Sequence, residues 1–166
     1  MIFPNFQGVA KAEKNDSVAH TFLLEPGRWI LQGSWLEGDG VPIAVKGQTI
    51  VAWRHDDWFT MVTMLVFPPE KDRKNITFQY KGRLNAGDWQ YTFVLQHNEL
   101  GRVEGQGWIA PESIVQRYWV LNDPQQRRTG FETLHRINDN AYYLSSAVMS
   151  RDLISTMEAT VERQPG

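Results

Sequence analysis

The sequence predicts an all-β protein: an up-and-down antiparallel β-barrel of about ten strands. Three observations lead to this prediction. Short runs of alternating apolar and polar residues recur every 10 to 15 residues from about residue 28 to residue 163; Gly, Pro, Asn and Asp separate the runs; and aromatic residues are frequent, with 7 Trp, 8 Phe and 5 Tyr. Such strands form a meandering sheet, which usually closes into a barrel that is either packed or holds one small cavity.

The predicted strands follow one another with no room for a long helix between them. In the first, Trp29, Leu31, Gly33 and Trp35 share one face, and the fourth alternates over 76–84. Turn residues such as those at 37–40, 85–88 and 138–140 favour the left-handed backbone that tight turns need. The ten predicted strands are 28–36, 42–54, 58–67, 76–84, 89–96, 102–109, 114–121, 130–137, 141–149 and 153–163.

The length of the chain limits the number of domains it can form. A chain of 166 residues fits one domain, so we expect residues 1–166 to form a single domain. Residues 27–164 would make the barrel, and residues 1–26 an irregular lead-in or plug. A plug is favoured, because Phe3, Phe6 and Phe22 need burial.

Charge and cysteine content exclude several classes. The net charge is −2 and no basic stripe is present, so nucleic acid is not an expected partner. The absence of Cys excludes disulfides and thiolate metal sites. Residues 1–16 lack the pattern of a signal peptide, and the longest apolar stretch, 61–68, is too short for a bilayer. We therefore predict a cytoplasmic protein without a membrane partner.

Gly33-Ser34-Trp35 in the first strand resembles the entry signal of the calycin superfamily, the lipocalin-like and fatty-acid-binding-protein-like barrels. The resemblance implies that Gly33 lets the strand bend, that the Trp35 indole closes one barrel end, and that Arg163 from the last strand covers it. The closing segment, residues 139–148 and 155–163, is also similar, distantly, to nitrobindin-like proteins. In those a last-strand histidine ligates haem, but this sequence has Thr156 there, so no haem site is carried over.

No motif for catalysis or for a metal is present, and we predict no cofactor. His55 stands beside Asp56 and Asp57 in a turn, where adjacent residues do not easily converge on one ion. His97 ends a strand and is expected at the surface. The candidates for an acid or base in an enzyme are Glu132, His135 and Glu104.

Aromatic and Met residues in the inward phase predict a ligand-binding wall, for which plain core packing is the competing interpretation. Mid-strand charges are a second clue, because an unpaired buried charge is costly. Arg117 and Glu132 would either pair inside the barrel or form an exposed cross-strand pair; Arg117 and Tyr118 cannot both face inward. The predicted ligand-binding residues are Trp58, Met64, Phe78, Tyr80, Tyr91, Phe93, Arg117, Glu132 and Tyr143, with Phe59 the alternative to Trp58.

The leading functional prediction is binding of a small hydrophobic or amphipathic molecule in the barrel cavity. The first alternative is an enzyme on the same fold, an isomerase, cyclase, hydratase or hydrolase acting on a hydrophobic substrate. The second is a packed barrel that serves as an interaction module or homodimer, in which Ile114 and Val120 would form an outward apolar patch.

Overall fold

The structure, a computed structural model, describes residues 20–38, 40–55 and 57–165. Each strand pairs antiparallel with the next along the chain, and the first pairs with the last, so the sheet closes into a barrel. This confirms the predicted fold class. The strands are β1 (Gly27–Glu37), β2 (Ile43–Trp53), β3 (Trp58–Val66), β4 (Ile76–Leu84), β5 (Gln90–His97), β6 (Gly101–Ile109), β7 (Ser113–Val120), β8 (Thr129–Asn138), β9 (Ala141–Met149) and β10 (Leu153–Arg163).

The barrel closes where β1 runs against β10. Gly33 faces Ala159 across this pair. A Cβ atom at Gly33 would lie 1.9 Å from the carbonyl oxygen of Glu158 and 2.6 Å from the Cα of Ala159. Both neighbours are backbone atoms that cannot turn aside, so this close approach of the two strands requires glycine.

Inside the barrel, aromatic rings lie across glycines of the neighbouring strand. At each of these glycines a Cβ would meet ring atoms of the paired residue at 1.9 to 2.3 Å. The missing side chain therefore leaves the space that the ring fills, and these glycines serve close packing. The pairs are Phe59 with Gly82, Phe93 with Gly105, Tyr91 with Gly107, and Tyr118 with Gly130.

One end of the barrel, called here the closed end, is sealed by Trp29. The Trp29 side chain is fully buried, and the guanidinium carbon of Arg163 lies 5.8 Å from the centroid of its ring. Arg163 is held in place by an ion pair with Glu25 at 2.9 Å. The Phe22 ring meets the indole edge-on, with 5.2 Å between centroids.

The prediction that Arg163 covers Trp35 is therefore wrong. The register of β1 on β10 places Trp29 opposite Arg163 and Trp35 opposite Met157. Six residues of extended strand separate the two indoles, which is about 20 Å. The same Gly-x-Trp spacing also occurs at Gly27-Arg28-Trp29, and this copy lies at the closed end.

Residues 20–26 pack beneath the closed end. Phe22 and Leu23 are buried, and the Leu23 carbonyl accepts a hydrogen bond from Trp53 Nε1 at 2.8 Å. His20 donates from Nε2 to the Ala110 carbonyl and accepts at Nδ1 from the Tyr142 hydroxyl. The rest of the predicted lead-in, with Phe3 and Phe6, falls outside the described residues.

At the opposite end, called here the Arg73 end, the Arg73 side chain covers Trp35 and Phe67; it comes from the β3–β4 connection, which contains a short 3₁₀ helix, Pro69–Lys71. The Arg73 guanidinium carbon lies 5.6 Å from the ring centroid of Trp35 and 5.2 Å from that of Phe67. It forms ion pairs with Glu37 at 2.6 Å and with Glu99. Arg73 thus joins three parts of the barrel rim.

Candidate functional site

The interior of the barrel contains a cavity of about 40 Å³. At ~10–15 Å³ for each water centre, it has room for about three water molecules. Its wall is mostly apolar and aromatic, with hydroxyl, imidazole and carboxyl groups among them. The lining residues are Phe22, Leu31, Trp35, Thr49, Met61, Thr63, Phe78, Tyr80, His97, Tyr118, Glu132, Leu144, Ser146, Val148, Ser155, Met157 and Val161.

Glu132 is the acidic group of this wall. It lies on β8 between two inward residues of the neighbouring strands, Gln116 on β7 and Ser146 on β9. Among the described residues, no hydrogen bond or ion pair to its carboxyl is formed. Burial disfavours the charged form and raises the pKa of Glu132 to about 7. The carboxyl therefore exchanges a proton near neutral pH.

A tyrosine and an amide extend the polar region around Glu132. The Tyr91 hydroxyl donates to Gln116 Oε1 at 2.7 Å. The other amide atom, Gln116 Nε2, is buried close to the Tyr80 hydroxyl, without a hydrogen bond of good geometry among the described residues. A buried donor left without a partner costs free energy, and so does a buried carboxylate. Gln116 and Glu132 stand opposite each other on paired strands.

His97 brings an imidazole to the same cavity near the Arg73 end. Its Nδ1 accepts hydrogen bonds from the backbone amides of Glu99 and Leu100, each at 3.0 Å. The ring proton of neutral His97 is therefore on Nε2, which makes that atom a donor. Burial, the largest cause, lowers the pKa of His97 to about 4, so the ring is neutral at physiological pH.

Two hydroxyl groups of the wall satisfy each other. Thr49 and Thr63 face one another across β2 and β3, with 2.7 Å between their Oγ1 atoms. Because each supplies a partner to the other, their burial needs no ligand.

The predicted ligand-binding residues divide between the two faces of the sheet. Phe78, Tyr80 and Glu132 line the cavity. Tyr91 and Phe93 also point inward, but they are packed in the core rather than on the cavity wall. The remaining four lie on the outer face, which corrects their prediction as ligand-binding residues: Trp58, Met64, Arg117 and Tyr143.

The outward positions have clear partners on the barrel surface. Arg117 donates to Gln106 at 3.2 Å and stacks 5.8 Å from the ring centroid of Trp108. Tyr118, its neighbour in sequence, is the residue that faces inward. An internal pair between Arg117 and Glu132 is therefore excluded. The strand alternation decides this, since successive side chains point to opposite sides.

The three candidate acid–base residues do not lie together in the structure. Glu132 lies in the cavity, whereas Glu104 and His135 lie on the outer face of β6 and β8. The prediction that Ile114 and Val120 face outward is wrong, because both lie in the inward phase of β7: Ile114 is fully buried in the core, and Val120 is partly buried against it. Thr156 lies on the outer face of β10, between Ser155 and Met157, which are both buried.

Sequence reasoning missed several polar residues of the interior, among them His97, Gln116 and Ser146. The prediction of a surface position for His97 is wrong, because the residue is only 5% exposed. The signal was present in the strand phase. His97 continues the inward series of β5, and Gln116 stands between the inward residues Ile114 and Tyr118.

Neither metal-ligand clusters nor membrane-spanning helices mark the described residues. Across 20–38, 40–55 and 57–165, no three His, Asp or Glu side chains come close enough to hold an ion. In the same ranges no helix has the length and apolar character needed to cross a bilayer. Asp56 of the predicted turn lies outside them.

Solved structures share the fold of this chain. Rv2717c from M. tuberculosis superposes with a TM-score of 0.65 at 15% identity, covering 93% of this chain and 98% of its own. The S-type phycobiliprotein lyase CPES from Guillardia theta superposes with a TM-score of 0.62 at 10% identity, covering 98% and 99%. No family model and no curated protein matches the sequence. At these identities the likeness concerns the fold, and the chain has a calycin-like barrel.

Proposed function

We propose that the barrel binds a small, largely apolar molecule with a polar group, and that the polar group lies at Glu132. The observation that carries this proposal is the Glu132 carboxyl, which faces the cavity without a hydrogen-bond or ion-pair partner among the described residues, opposite the buried Gln116 amide on the paired strand. A carboxyl group in a poorly solvated cavity lacks good hydrogen-bond partners, and a ligand that bonds to it supplies them.

Binding requires the cavity to expand. The present volume is about 40 Å³, whereas pockets for drug-sized ligands are typically about 300 Å³ or more. Met61, Phe78 and Met157 are the side chains of the wall that can move most readily, because methionine is unbranched and Phe78 is only partly buried. A lyase of the same fold supports a small-molecule role for this architecture.

A matched pair of variants tests the proposal. Ser146 lies on the cavity wall, and Ser145 is its neighbour on the outer face of β9. We expect the protein to show saturable binding of the neutral dye Nile red, Ser146→Phe to abolish it by filling the cavity, and Ser145→Phe to retain it. Native mass spectrometry of freshly purified protein is expected to show a bound small molecule.

Equal dye binding by the two variants would place the site outside the barrel. Absence of both dye binding and a retained molecule would remove the proposal. Circular dichroism of each variant checks that the barrel still forms, since overpacking costs about 1 to 3 kcal/mol.

The same carboxyl favours one second candidate, an enzyme that uses Glu132 as a general acid or base. A group with a pKa of about 7 is suited to proton transfer at neutral pH. Any molecule recovered with the protein would then be the first compound to incubate with it. Conversion by the wild type and loss of conversion in Glu132→Gln would establish catalysis, whereas binding without conversion would leave the barrel as a carrier.

A further inference from the structure

The cavity has an uncompensated charge. Among the described residues that line it, Glu132 has the one carboxyl group, and neither Lys nor Arg occurs. A carboxylate in such a place lacks the counter-ion that buried charges normally have. The interior therefore changes between neutral and singly negative as Glu132 ionises.

The other titratable groups facing Glu132 do not compensate this charge. Tyr80, Tyr91 and Tyr118 are the phenols within electrostatic reach of the carboxyl, and burial raises the pKa of each, so they stay neutral. His97, further along the wall, is also neutral. All four groups can donate or accept hydrogen bonds, but none supplies a positive charge to pair with Glu132.

The basic residues near the barrel ends are engaged elsewhere. Arg73 is paired with Glu37 and Glu99 at one end. At the closed end Arg136 is paired with Asp139 at 2.6 Å. Their ion pairs keep these guanidinium groups at the rims, and neither lines the cavity.

We infer that the cavity selects a ligand with a cationic amine group, whose ammonium pairs with the Glu132 carboxylate, over a carboxylate ligand of the same size. This rests on the proposed function. The ammonium supplies the missing counter-ion and donates hydrogen bonds that an ionised carboxylate accepts. An anionic head group would instead meet Glu132 as a like charge in a poorly solvated space.

The size of the selectivity follows from hydrogen bonds to charged groups. They contribute enough to change affinity by about 10- to 100-fold. We therefore expect the amine to bind about 10- to 100-fold more tightly than a neutral alcohol of the same shape, and the carboxylate more weakly than the alcohol.

The test uses three probes that differ only in the head group: 4-phenylbutylamine, 4-phenylbutanol and 4-phenylbutanoate. Isothermal titration calorimetry at pH 7.5 measures each on the wild type and on Glu132→Gln. The variant is expected to lose about 10- to 100-fold in affinity for the amine and to keep its affinity for the alcohol. Glu104→Gln removes the same charge from the outer face and is expected to change neither.

The pH dependence adds a second readout. Affinity of the wild type for the amine is expected to fall as pH is lowered from 8 to 5.5, because protonation removes the Glu132 charge. This fall should be absent in Glu132→Gln. Equal affinity for amine and carboxylate, or a preference that survives Glu132→Gln, would overturn the inference while leaving ligand binding intact. Failure of all three probes to bind at millimolar concentration would overturn the inference, and together with the absence of dye binding and of a retained molecule it would overturn the proposed function as well.

Discussion

Glu132 couples the stability of the barrel to pH. Burial raises its pKa from an ordinary value near 4.5 to about 7, so the folded state favours the protonated carboxyl. As pH rises from 4.5 to 7 the unfolded chain loses this proton first, and stability falls with it. We expect Glu132→Gln, which carries no charge, to be more stable than wild type by up to about 3 kcal/mol at pH 8, from about 1.4 kcal/mol per pKa unit.

Urea denaturation at several pH values measures this effect. The advantage of Glu132→Gln should shrink as pH is lowered and disappear below pH 4.5, where both states of the wild type are protonated. Glu104→Gln, on the outer face, should show no such trend. A constant difference at every pH would mean that the glutamine acts through packing rather than through charge.

His97 is expected to act in the opposite direction. Its pKa is lowered to about 4, first by burial, so the unfolded chain, with a histidine pKa near 6.5, takes up the proton first as pH falls. Stability is then lost between pH 6.5 and 4, by up to about 3 kcal/mol. In wild type this loss overlaps with the gain from Glu132, and the two partly cancel.

The Glu132→Gln background separates the two residues. Glu132→Gln should lose stability from pH 6.5 to 4, and Glu132→Gln/His97→Asn should lose about 2 to 3 kcal/mol less over the same interval. Asparagine keeps an oxygen that can accept from the amides of Glu99 and Leu100. Parallel pH profiles of the two proteins would show that His97 is not held neutral in the fold.

At the scale of strands, the packing of aromatic rings on glycine gives a prediction for β3 and β4. A Cβ at Gly82 would lie 2.3 Å from Phe59 Cζ, and the three nearest atoms all belong to that ring. Gly82→Ala is therefore expected to destabilise the barrel by about 1 to 3 kcal/mol through overpacking. Gly40→Ala is the control: its nearest contact is 3.5 Å, and a change within ~0.5 kcal/mol is expected.

A double-mutant cycle identifies the cause. Because Leu is smaller than Phe, Phe59→Leu leaves space for the new methyl group, so the double variant should be more stable than the sum of the two single effects predicts. Thermal or urea unfolding measures the three free energies. Strict additivity would mean that Gly82 is needed for its backbone and not for the space beneath Phe59.

Alternation of residues was sufficient to predict the strands themselves, because period-2 patterns and turn residues are local. It was not sufficient to choose the inward phase where both faces are apolar. On β3, Phe59 and Met61 face inward, while Trp58 and Met64 face outward. On β7, the choice between Arg117 and Tyr118 depends on Gly130, which leaves space for the Tyr118 ring across the strand pair.

At the scale of the whole barrel, closure decides which Trp seals which end. β1 contains Gly-x-Trp twice, ending at Trp29 and Trp35, and the local sequence does not distinguish the copies. The register with β10 does, because it places Arg163 beside Trp29. The cationic cover of Trp35 comes instead from Arg73, in a connection far from both strands in sequence. Such long-range pairing carries no short-range signal.

The two ends also differ in how they can open. The closed end is filled by Trp29, Phe22 and Tyr142, whose rings pack at 5.2 to 5.7 Å between centroids. At the other end, partly exposed Arg73 covers Trp35 and Phe67 by surface contacts. Cation–π and ion-pair contacts at exposed sites contribute about 1 kcal/mol together, far less than a packed aromatic core. We therefore expect ligands to enter at the Arg73 end.

Stopped-flow measurement of 4-phenylbutylamine binding tests the route through the change in Trp fluorescence. Arg73→Ala is expected to raise both the association and the dissociation rate about fivefold, since ~1 kcal/mol of closing contacts is lost, and to leave Kd nearly unchanged. Arg163→Gln removes the matching cation at the closed end and should lower stability without changing either rate. Faster association in Arg163→Gln but not in Arg73→Ala would instead place the entrance beside Trp29, because only a rim residue on the entry route can alter both rates equally.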